Sequence, residues 1–324
     1  MGDTKGGKFD IPEELAAEFL RAPKNVNGRP NSDVVVPWVN GLDVTRRSRG
    51  MYIVDFGVEM PESEAARYEA PFEYVRREVR PLRITNKREA YRKRWWIHVE
   101  PRPALRDAIR PLSRFIATPT VAKHRLFAWL EPPTLPDHQL IIVARDDWYT
   151  FGVLHSRLHE LWGLHQGTQL EDRPRYTPTT TFETFPFPWP LDTPDAKLTV
   201  AQRKHRDAIA TASEALDTAR QRWLNPPEFV KEGQPLARGF PAPLRPRNAA
   251  MGKELQKRTL TALYNARPSW LAEAHAAMDR TVLAAYDWPA ALSDDEVLAK
   301  LLALNLKRPA STSTSGEDTS EQDE

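Results

Sequence analysis

The chain has 324 residues, with 46 Lys and Arg against 44 Asp and Glu, and it contains no cysteine. The absence of cysteine excludes disulfides, thiolate catalysis, thiolate zinc sites and cysteine-ligated iron–sulfur clusters. No apolar run approaches the roughly 18 residues that a membrane-spanning helix needs, and the chain starts without an apolar signal segment. We therefore expect no membrane span and a cytoplasmic location.

The formal net charge of +2 is the sum of two unlike parts. Residues 309–324 contain five acids and no base, so residues 1–308 carry 46 basic and 39 acidic residues, a net charge of +7. The terminal segment is rich in Ser, Thr and acids and cannot bury a core, so we predict that it is disordered.

The first 190 residues mix helical and strand patterns. They predict helices at 12–21, 61–94, 103–114 and 146–165, and strands at 34–39, 51–57, 115–119, 124–130 and 139–144. Pro37 indicates that the first strand lies at an edge or is bent. Pro71 is expected to break or kink the second helix, and Pro111 to kink the third.

Beyond Trp189-Pro190 the pattern is helical, with helices predicted at 199–223, 252–265, 268–286 and 293–305. The fold class is therefore α+β, a small mixed sheet with flanking helices followed by an all-helical part. We divide the chain into a first domain at 1–190, a helical domain at 191–308 and the acidic tail at 309–324.

Catalytic motifs are absent or incomplete. Asn225-Pro226-Pro227-Glu228 is close to the Asn-Pro-Pro-Tyr/Phe signature of amino-group methyltransferases, but its fourth residue is not aromatic and a charged helix precedes it. Asp55-Phe56-Gly57 lacks the glycine-rich loop and His-Arg-Asp motif of a kinase. No phosphate-binding G-x-x-x-x-G-K-S/T sequence is present. The sequence therefore predicts no catalytic site of its own.

Two histidines lie one helical turn apart, at His155 and His159. Such a pair can hold zinc, but the H-E-x-x-H order is absent and no third ligand is evident. The pattern favours histidines that face solvent or a hydrogen-bonded core. Pro136-Asp137 could begin a metal-dependent nuclease motif, but no suitably placed acid-x-Lys follows it. We predict no metal site.

Basic residues interleaved with aromatics dominate residues 76–114. The four arginines at 102, 106, 110 and 114 follow at four-residue steps, which would place them along one helix face. A solvated face paired with acids is the alternative, but the excess of guanidinium groups suits phosphate oxygens. The candidates for phosphate contact are Arg102, Arg106, Arg110, Arg114, Lys93 and Arg94.

A second type of basic segment lies in predicted loops. Lys123-His124-Arg125 separates two strands, and residues 171–175 read Glu-Asp-Arg-Pro-Arg. They combine donors and acceptors on irregular backbone, as the reading of base edges requires, with arginine suited to guanine and carboxylate to cytosine.

Several long strings resemble one known family. They are NVNGRPNSDVVVPWVNGLDVTRRSRGMYIVDFG, EAARYEAPFEYV, RFIATPTVAKHRLFAWL, DDWYTFGVLHSRLHELW and RYTPTTTFETFPFPWP, and, near the end, LTALYNARPSWLAEAHAAMDRTVLAAYDWP and EVLAKLLALNLKR. Together they resemble the target-recognition domain and the C-terminal helical segment of MmeI-like type IIG/IIL DNA adenine methyltransferase–restriction proteins. The resemblance covers nearly the whole chain except the tail, and WLNPPE occurs at the same place in the family.

The resemblance implies sequence-specific recognition of double-stranded DNA for a SAM-dependent methyltransferase domain or subunit that methylates adenine N6. That catalytic half, which would bind S-adenosylmethionine, is absent from this chain, so we expect no cofactor here. The abrupt start suggests a truncated, split or separately encoded piece. The candidates for base reading are Glu171, Arg173, Arg175, His138, Lys123 and Arg125. A non-catalytic interaction subunit or a gene remnant without DNA affinity remains the alternative.

Overall fold

The computed structural model describes residues 1–170 and 173–307, and it confirms an α+β fold. The elements of the first part are β1 (Asp10–Ile11), α1 (Glu13–Arg21), β2 (Val35–Val39), α2 (Gly41–Thr45), β3 (Tyr52–Val54), α3 (Glu62–Ala65), α4 (Glu69–Glu78), α5 (Arg80–Arg83), α6 (Glu89–Lys93) and α7 (Pro103–Ile109). Among the described residues, no helix is long and apolar enough to cross a membrane.

The middle part continues with β4 (Phe115–Pro119), β5 (Ala128–Leu130), β6 (Leu135–Pro136), β7 (Leu140–Val143), α8 (Trp148–His155), α9 (Arg157–Gln166), β8 (Thr168–Leu170), β9 (Arg173–Arg175) and α10 (Pro178–Thr181). The last part contains α11 (Val200–Leu224), β10 (Val230–Glu232), β11 (Leu244–Pro246), α12 (Ala249–Lys257), α13 (Leu260–Ala266), α14 (Ser269–Ala285) and α15 (Asp294–Leu306). The predicted tail at 309–324 lies outside the described residues.

The first sheet has the strand order β1-β3-β2-β6. β2 pairs antiparallel with β3 over Val35 to Pro37 and parallel with β6 at Trp38 and Val39. β2 is therefore an inner strand, and its interpretation as an edge strand is wrong. Pro37 is tolerated because the pairing with β6 begins only after it, so its missing N–H removes no bond to that strand.

The helical run predicted from 61 to 94 is four short helices, α3 to α6. Pro71 does not break the run, because it lies in the first turn of α4, where amide groups have no partner inside the helix. The predicted helix at 103–114 ends at Ile109, so Pro111 follows the helix and does not kink it.

The second sheet is antiparallel, in the order β5-β4-β7. Phe115 pairs with Leu130 and Ile116 with Val143, which confirms the three strands predicted in this region, although β5 is shorter than its pattern. The helix predicted at 146–165 divides at Ser156, whose backbone is extended and whose hydroxyl accepts a hydrogen bond from the His159 amide.

Two large hydrophobic cores and two smaller ones hold the described part of the chain together. The first lies around the first sheet and contains Phe9, Trp38, Ile53, Phe72 and Trp95. The second is built from residues on both sides of position 190, among them Phe151, Trp162, Phe185, Ile209, Val282 and Leu301. The domain boundary predicted at Trp189-Pro190 therefore marks a change in composition across which the core continues.

Candidate nucleic-acid interface

Three chain segments meet at one edge of the second sheet. The backbone amide and the hydroxyl of Thr120 both donate to Gln139 O, at 2.7 and 2.9 Å. The Tyr176 amide donates to Thr120 O at 2.7 Å, and Val121 forms a β-bridge with Arg175. We call residues 119–125, 137–139 and 173–176 the loop edge. Backbone hydrogen bonds hold its three segments together, although they are far apart in sequence.

The third of these segments is a hairpin formed by β8 and β9. Thr168 pairs with Arg175 and Leu170 with Arg173, directly after α9 ends at Gln166. The predicted reader Glu171 lies outside the described residues, and only the backbone of Arg173 is described. The Arg175 side chain is exposed and available to a ligand.

Arg125 lies inside the loop edge and connects its segments. Its guanidinium donates to Thr118 Oγ1 at 3.0 Å, to Pro119 O and to Pro174 O at 3.1 Å, and its Cζ lies 4.8 Å from the centroid of the Tyr176 ring. Burial lowers the pKa of Arg125 to about 10, so the group stays charged at neutral pH. Much of its donor capacity is used within the protein.

The surface of the loop edge carries polar groups from the first two segments. Lys123 Nζ and His124 Nε2 each lie 2.8 Å from Asn265 Oδ1, which belongs to α13. His138 is exposed, and its Nδ1 lies 3.1 Å from the Asp137 carboxylate. Sequence reasoning missed Asn265, because no local pattern connects it to a loop about 140 residues earlier.

Arg106 belongs to a buried ionic cluster instead of a basic surface. Its guanidinium donates to both Asp55 oxygens, at 2.6 and 3.1 Å, and to the Asp3 carboxylate. His98 Nδ1 completes the cluster 2.8 Å from Asp3 Oδ1. Burial raises the pKa of Asp55, but Arg106 and His98 outweigh that effect and lower it. Burial likewise opposes the charged form of His98, and the adjacent Asp3 raises its pKa.

The other arginines of the four-residue series have separate surroundings. Arg102 precedes α7 with a φ of 48° and pairs with Glu100, while Arg110 pairs with Asp107 at 2.9 Å. Arg114 lies beyond the helix, with its Cζ 3.8 Å from the Trp129 ring centroid and 4.1 Å from that of Trp148. The prediction of one continuous basic helix face is wrong, because α7 is too short to carry it.

Lys93 and Arg94 are exposed at the end of α6. Lys93 pairs with Glu89 at 2.6 Å, and Arg94 donates to Val58 O. They belong to a basic segment at 80–94, which contains seven basic residues and one acid. All of its basic residues except the buried Arg83 are exposed, and we call these exposed residues the 80–94 surface. Within the described part of the chain, five of the exposed bases in this segment have no carboxylate partner: Arg80, Lys87, Arg88, Arg92 and Arg94.

The motifs that resemble catalytic signatures have structural roles. Asn225 ends α11, and its Oδ1 accepts a 2.9 Å hydrogen bond from Arg47. Asp55 accepts from the Gly57 amide and from Arg106. His155 and His159 are buried, and across residues 1–170 and 173–307 no cluster of three or more acids or histidines could hold a metal ion.

Comparison with known proteins points to the same part of the chain as the loop edge. Residues 106–189 match the family model described as "MmeI, target recognition domain". The matched segment contains the whole loop edge. This part of the chain is therefore similar to a target recognition domain of the MmeI type, and the predicted resemblance is confirmed.

One solved structure extends the similarity over the whole fold. It is described as the type IIL restriction-modification enzyme MmeI in complex with DNA, and it shares 16% sequence identity with a TM-score of 0.65. The similarity covers 94% of this chain and 34% of that protein, so the chain spans about a third of its length. No curated protein matches the chain.

Proposed function

We propose that the chain is the sequence-specific DNA recognition portion of an adenine-N6 DNA methyltransferase of the restriction-modification or phage-defence type. The observation that supports this proposal best is that the segment matching a target recognition domain also contains three chain segments fixed at one edge. A rigid edge with exposed donors is what the reading of a base pair requires, because a base edge must meet its partner at a fixed distance.

Recognition would combine two kinds of contact. Side chains of the loop edge, with Arg175, Lys123 and His138 exposed, would meet base edges in the major groove. Exposed bases of the 80–94 surface would neutralise backbone phosphates, which gives affinity without sequence preference. Arg125 would act mainly by holding the loops in place. Glu171 and Arg173 remain candidate readers on sequence grounds.

The chemical step would belong to a partner. A SAM-dependent methyltransferase domain or subunit would bind S-adenosylmethionine and flip the adenine once this chain has placed it on its site. We therefore propose no cofactor for this chain, and a cytoplasmic location with the DNA.

Selection of bound duplexes tests the proposal. The full chain, alone and co-expressed with its methyltransferase partner, is incubated with a pool of random duplexes, and the bound fraction is sequenced. We expect one enriched sequence. Enrichment in neither preparation would contradict DNA recognition and favour an interaction subunit or gene remnant.

Arg175→Ala tests base reading within this experiment. The expected result is a preference relaxed at one base pair by about 1–3 kcal/mol, because one pair of hydrogen bonds to a base edge is lost. Arg21→Ala, which changes another exposed arginine, is the matched control and should leave the enriched sequence unchanged. Equal loss of affinity for all sequences would place Arg175 on the DNA backbone instead.

A further inference from the structure

A cleft of about 470 Å³ opens next to α2. It lies between the loop after α2, strand β5, the end of α11 and strand β11. The charged side chains that line it are four arginines and two carboxylates: Arg46, Arg47, Arg49, Arg245, Glu13 and Asp43. The cleft is therefore positively charged, and none of the predicted site residues lies in it.

Two of the arginines are neutralised within the protein. Arg49 forms an ion pair with Asp43 at 2.9 Å, and the Asp43 side chain is only 1% exposed. Arg245 pairs with Glu13. These pairs leave Arg46 and Arg47 as the uncompensated charges of the cleft.

Arg47 is half-buried and contacts only neutral acceptors. Its guanidinium donates to Leu224 O at 3.1 Å and to Asn225 Oδ1 at 2.9 Å, at the carboxyl end of α11. Burial lowers the pKa of Arg47, and no carboxylate opposes that effect. The negative end of the helix dipole stabilises the cation in part, but its charge remains available to an anion.

Arg46 is exposed, and its side chain has no ion-pair or hydrogen-bond partner among residues 1–170 and 173–307. Guanidinium groups match phosphate oxygens in geometry as well as charge. Arg46 and Arg47 both line the cleft, so a phosphate at its mouth is within the range of both side chains.

The cleft adjoins the loop edge through α2. A side chain at Gly41, the first residue of α2, would meet Pro119 Cβ at 3.5 Å, and Gln139 is also adjacent. The arginines follow directly after Thr45, the last residue of this helix. A five-residue helix is about 7.5 Å long, so the two arginines lie a short distance from the loop edge.

We propose that this cleft binds a backbone phosphate of the DNA that the loop edge reads. The proposal rests on the function proposed above. Arg46 and Arg47 contact the phosphate, Arg47 being oriented by the end of α11, and the contact sets the position of the duplex against the loop edge. Phosphate contacts of this kind fix register without selecting sequence.

The test measures the affinity of the full chain for a mixed 30-base-pair duplex (a length chosen to be about three helical turns) as a function of salt concentration. Arg46→Gln is expected to reduce the slope of log affinity against log salt by about 1, because one phosphate contact is lost. Arg46→Lys keeps the charge and should retain the wild-type slope. Arg21→Gln is the matched control at another exposed arginine.

Because the Arg46 side chain has no partner among the residues that the structure describes, Arg46→Gln is expected to leave folding intact, and a thermal unfolding curve checks this. Arg47→Gln should weaken DNA binding equally for all sequences in the pool. A wild-type slope in both Gln variants would overturn the cleft proposal while leaving the proposed function standing. If the wild-type chain binds no DNA, either alone or with its partner, the result contradicts the proposed function itself, and the cleft proposal falls with it.

Inorganic phosphate tests whether the cleft binds a free phosphate ion instead of a DNA phosphate. Millimolar phosphate is added to the full chain, and the thermal unfolding midpoint is recorded. Stabilisation that Arg46→Gln abolishes, combined with an unchanged salt slope for DNA, would indicate a site for a free anion and would overturn the proposal. A reduced DNA slope with no phosphate stabilisation supports it.

Discussion

Arg106 lies within hydrogen-bond distance of two carboxylates whose side chains are 1% and 11% exposed. Its burial opposes its charged form, but Asp55 and Asp3 raise its pKa further above the ordinary value. Arg110, four residues later, is 75% exposed and pairs with Asp107. The four-residue spacing predicts the same surroundings for both arginines. In the structure Arg106 is buried between carboxylates and stabilises the fold, whereas Arg110 faces solvent.

We predict that Arg106→Ala lowers the free energy of unfolding by about 3–5 kcal/mol, because it leaves Asp3 and Asp55 buried without a cation. Arg110→Ala is the control, and it should change stability by less than about 1 kcal/mol. Urea denaturation of both variants measures the difference. Equal, small effects would show that solvent compensates the carboxylates. Any loss of DNA binding in Arg106→Ala must be read against this loss of stability.

At the scale of elements, α8 packs closely on α11. An added Cβ at Gly152 in α8 would lie 2.8 Å from Ile209 Cγ2 and 2.9 Å from Ser213 Cβ, and both of these residues belong to α11. The Ser213 hydroxyl also donates to Trp148 O at 2.8 Å. The contact joins elements on the two sides of position 190, so the helical part is fixed to the segment that matches the target recognition domain model.

Gly152→Ala is expected to destabilise the chain by about 1–3 kcal/mol, because the methyl group overpacks the contact between the two helices. Gly163→Ala is a matched control in α9, where an added Cβ would meet nothing within 4 Å. There the change should stabilise by about 0.5–1 kcal/mol through helix propensity. Thermal unfolding of both variants checks the opposite signs, and loss of stability in both would contradict the packing argument.

At the scale of the whole molecule, the second core contains buried imidazoles from α8 and α9. Arg220 of α11 is fully buried, and its guanidinium lies 2.6 Å from His155 Nε2 and donates to Phe127 O at 2.8 Å. His159 Nε2 lies 2.8 Å from the Tyr176 hydroxyl, which links the core to the loop edge. The imidazoles are held neutral, because burial lowers the pKa of His155 well below its ordinary value and that of His159 to about 3.

This arrangement predicts a loss of stability in acid. Below about pH 6.5 the two histidines are protonated in the unfolded chain but stay neutral in the folded chain. Unfolding therefore takes up protons, and the free energy of unfolding falls as pH falls. Each histidine contributes about 1.4 kcal/mol per pH unit down to its folded pKa. Asp279 has the opposite effect on stability, because burial raises its pKa to about 6. Between about pH 6 and 4 this carboxyl binds a proton more readily in the folded chain, so its contribution to the free energy of unfolding rises as pH falls.

His159→Gln should reduce the number of protons taken up on unfolding by about one between pH 6.5 and 4, and so weaken the fall in stability. Urea denaturation at a series of pH values measures it, with His165→Gln as the exposed control. An unchanged dependence in His159→Gln would mean that the histidine takes a proton without unfolding.

Helices and strands that have a local sequence signal can be predicted from the sequence, whereas breaks without such a signal cannot. The strand at 115–119 and the helix at 200–224 follow from β-branched runs and from a capped amphipathic pattern, which are local signals. The break at Ser156 and the end of α7 at Ile109 were not predicted, because apolar periodicity continues through both points.

The sequence by itself determined the α+β class, the absence of thiol chemistry, and the target-recognition resemblance, since composition and idiosyncratic strings are local properties of the chain. Tertiary structure alone decided which arginines are free. Arg106 is neutralised by Asp3, which lies 103 residues earlier, whereas Arg46 has no partner in the described chain. The physical reason is that the availability of a charge depends on its neighbours in space, and pairs so distant in sequence leave no periodic signal.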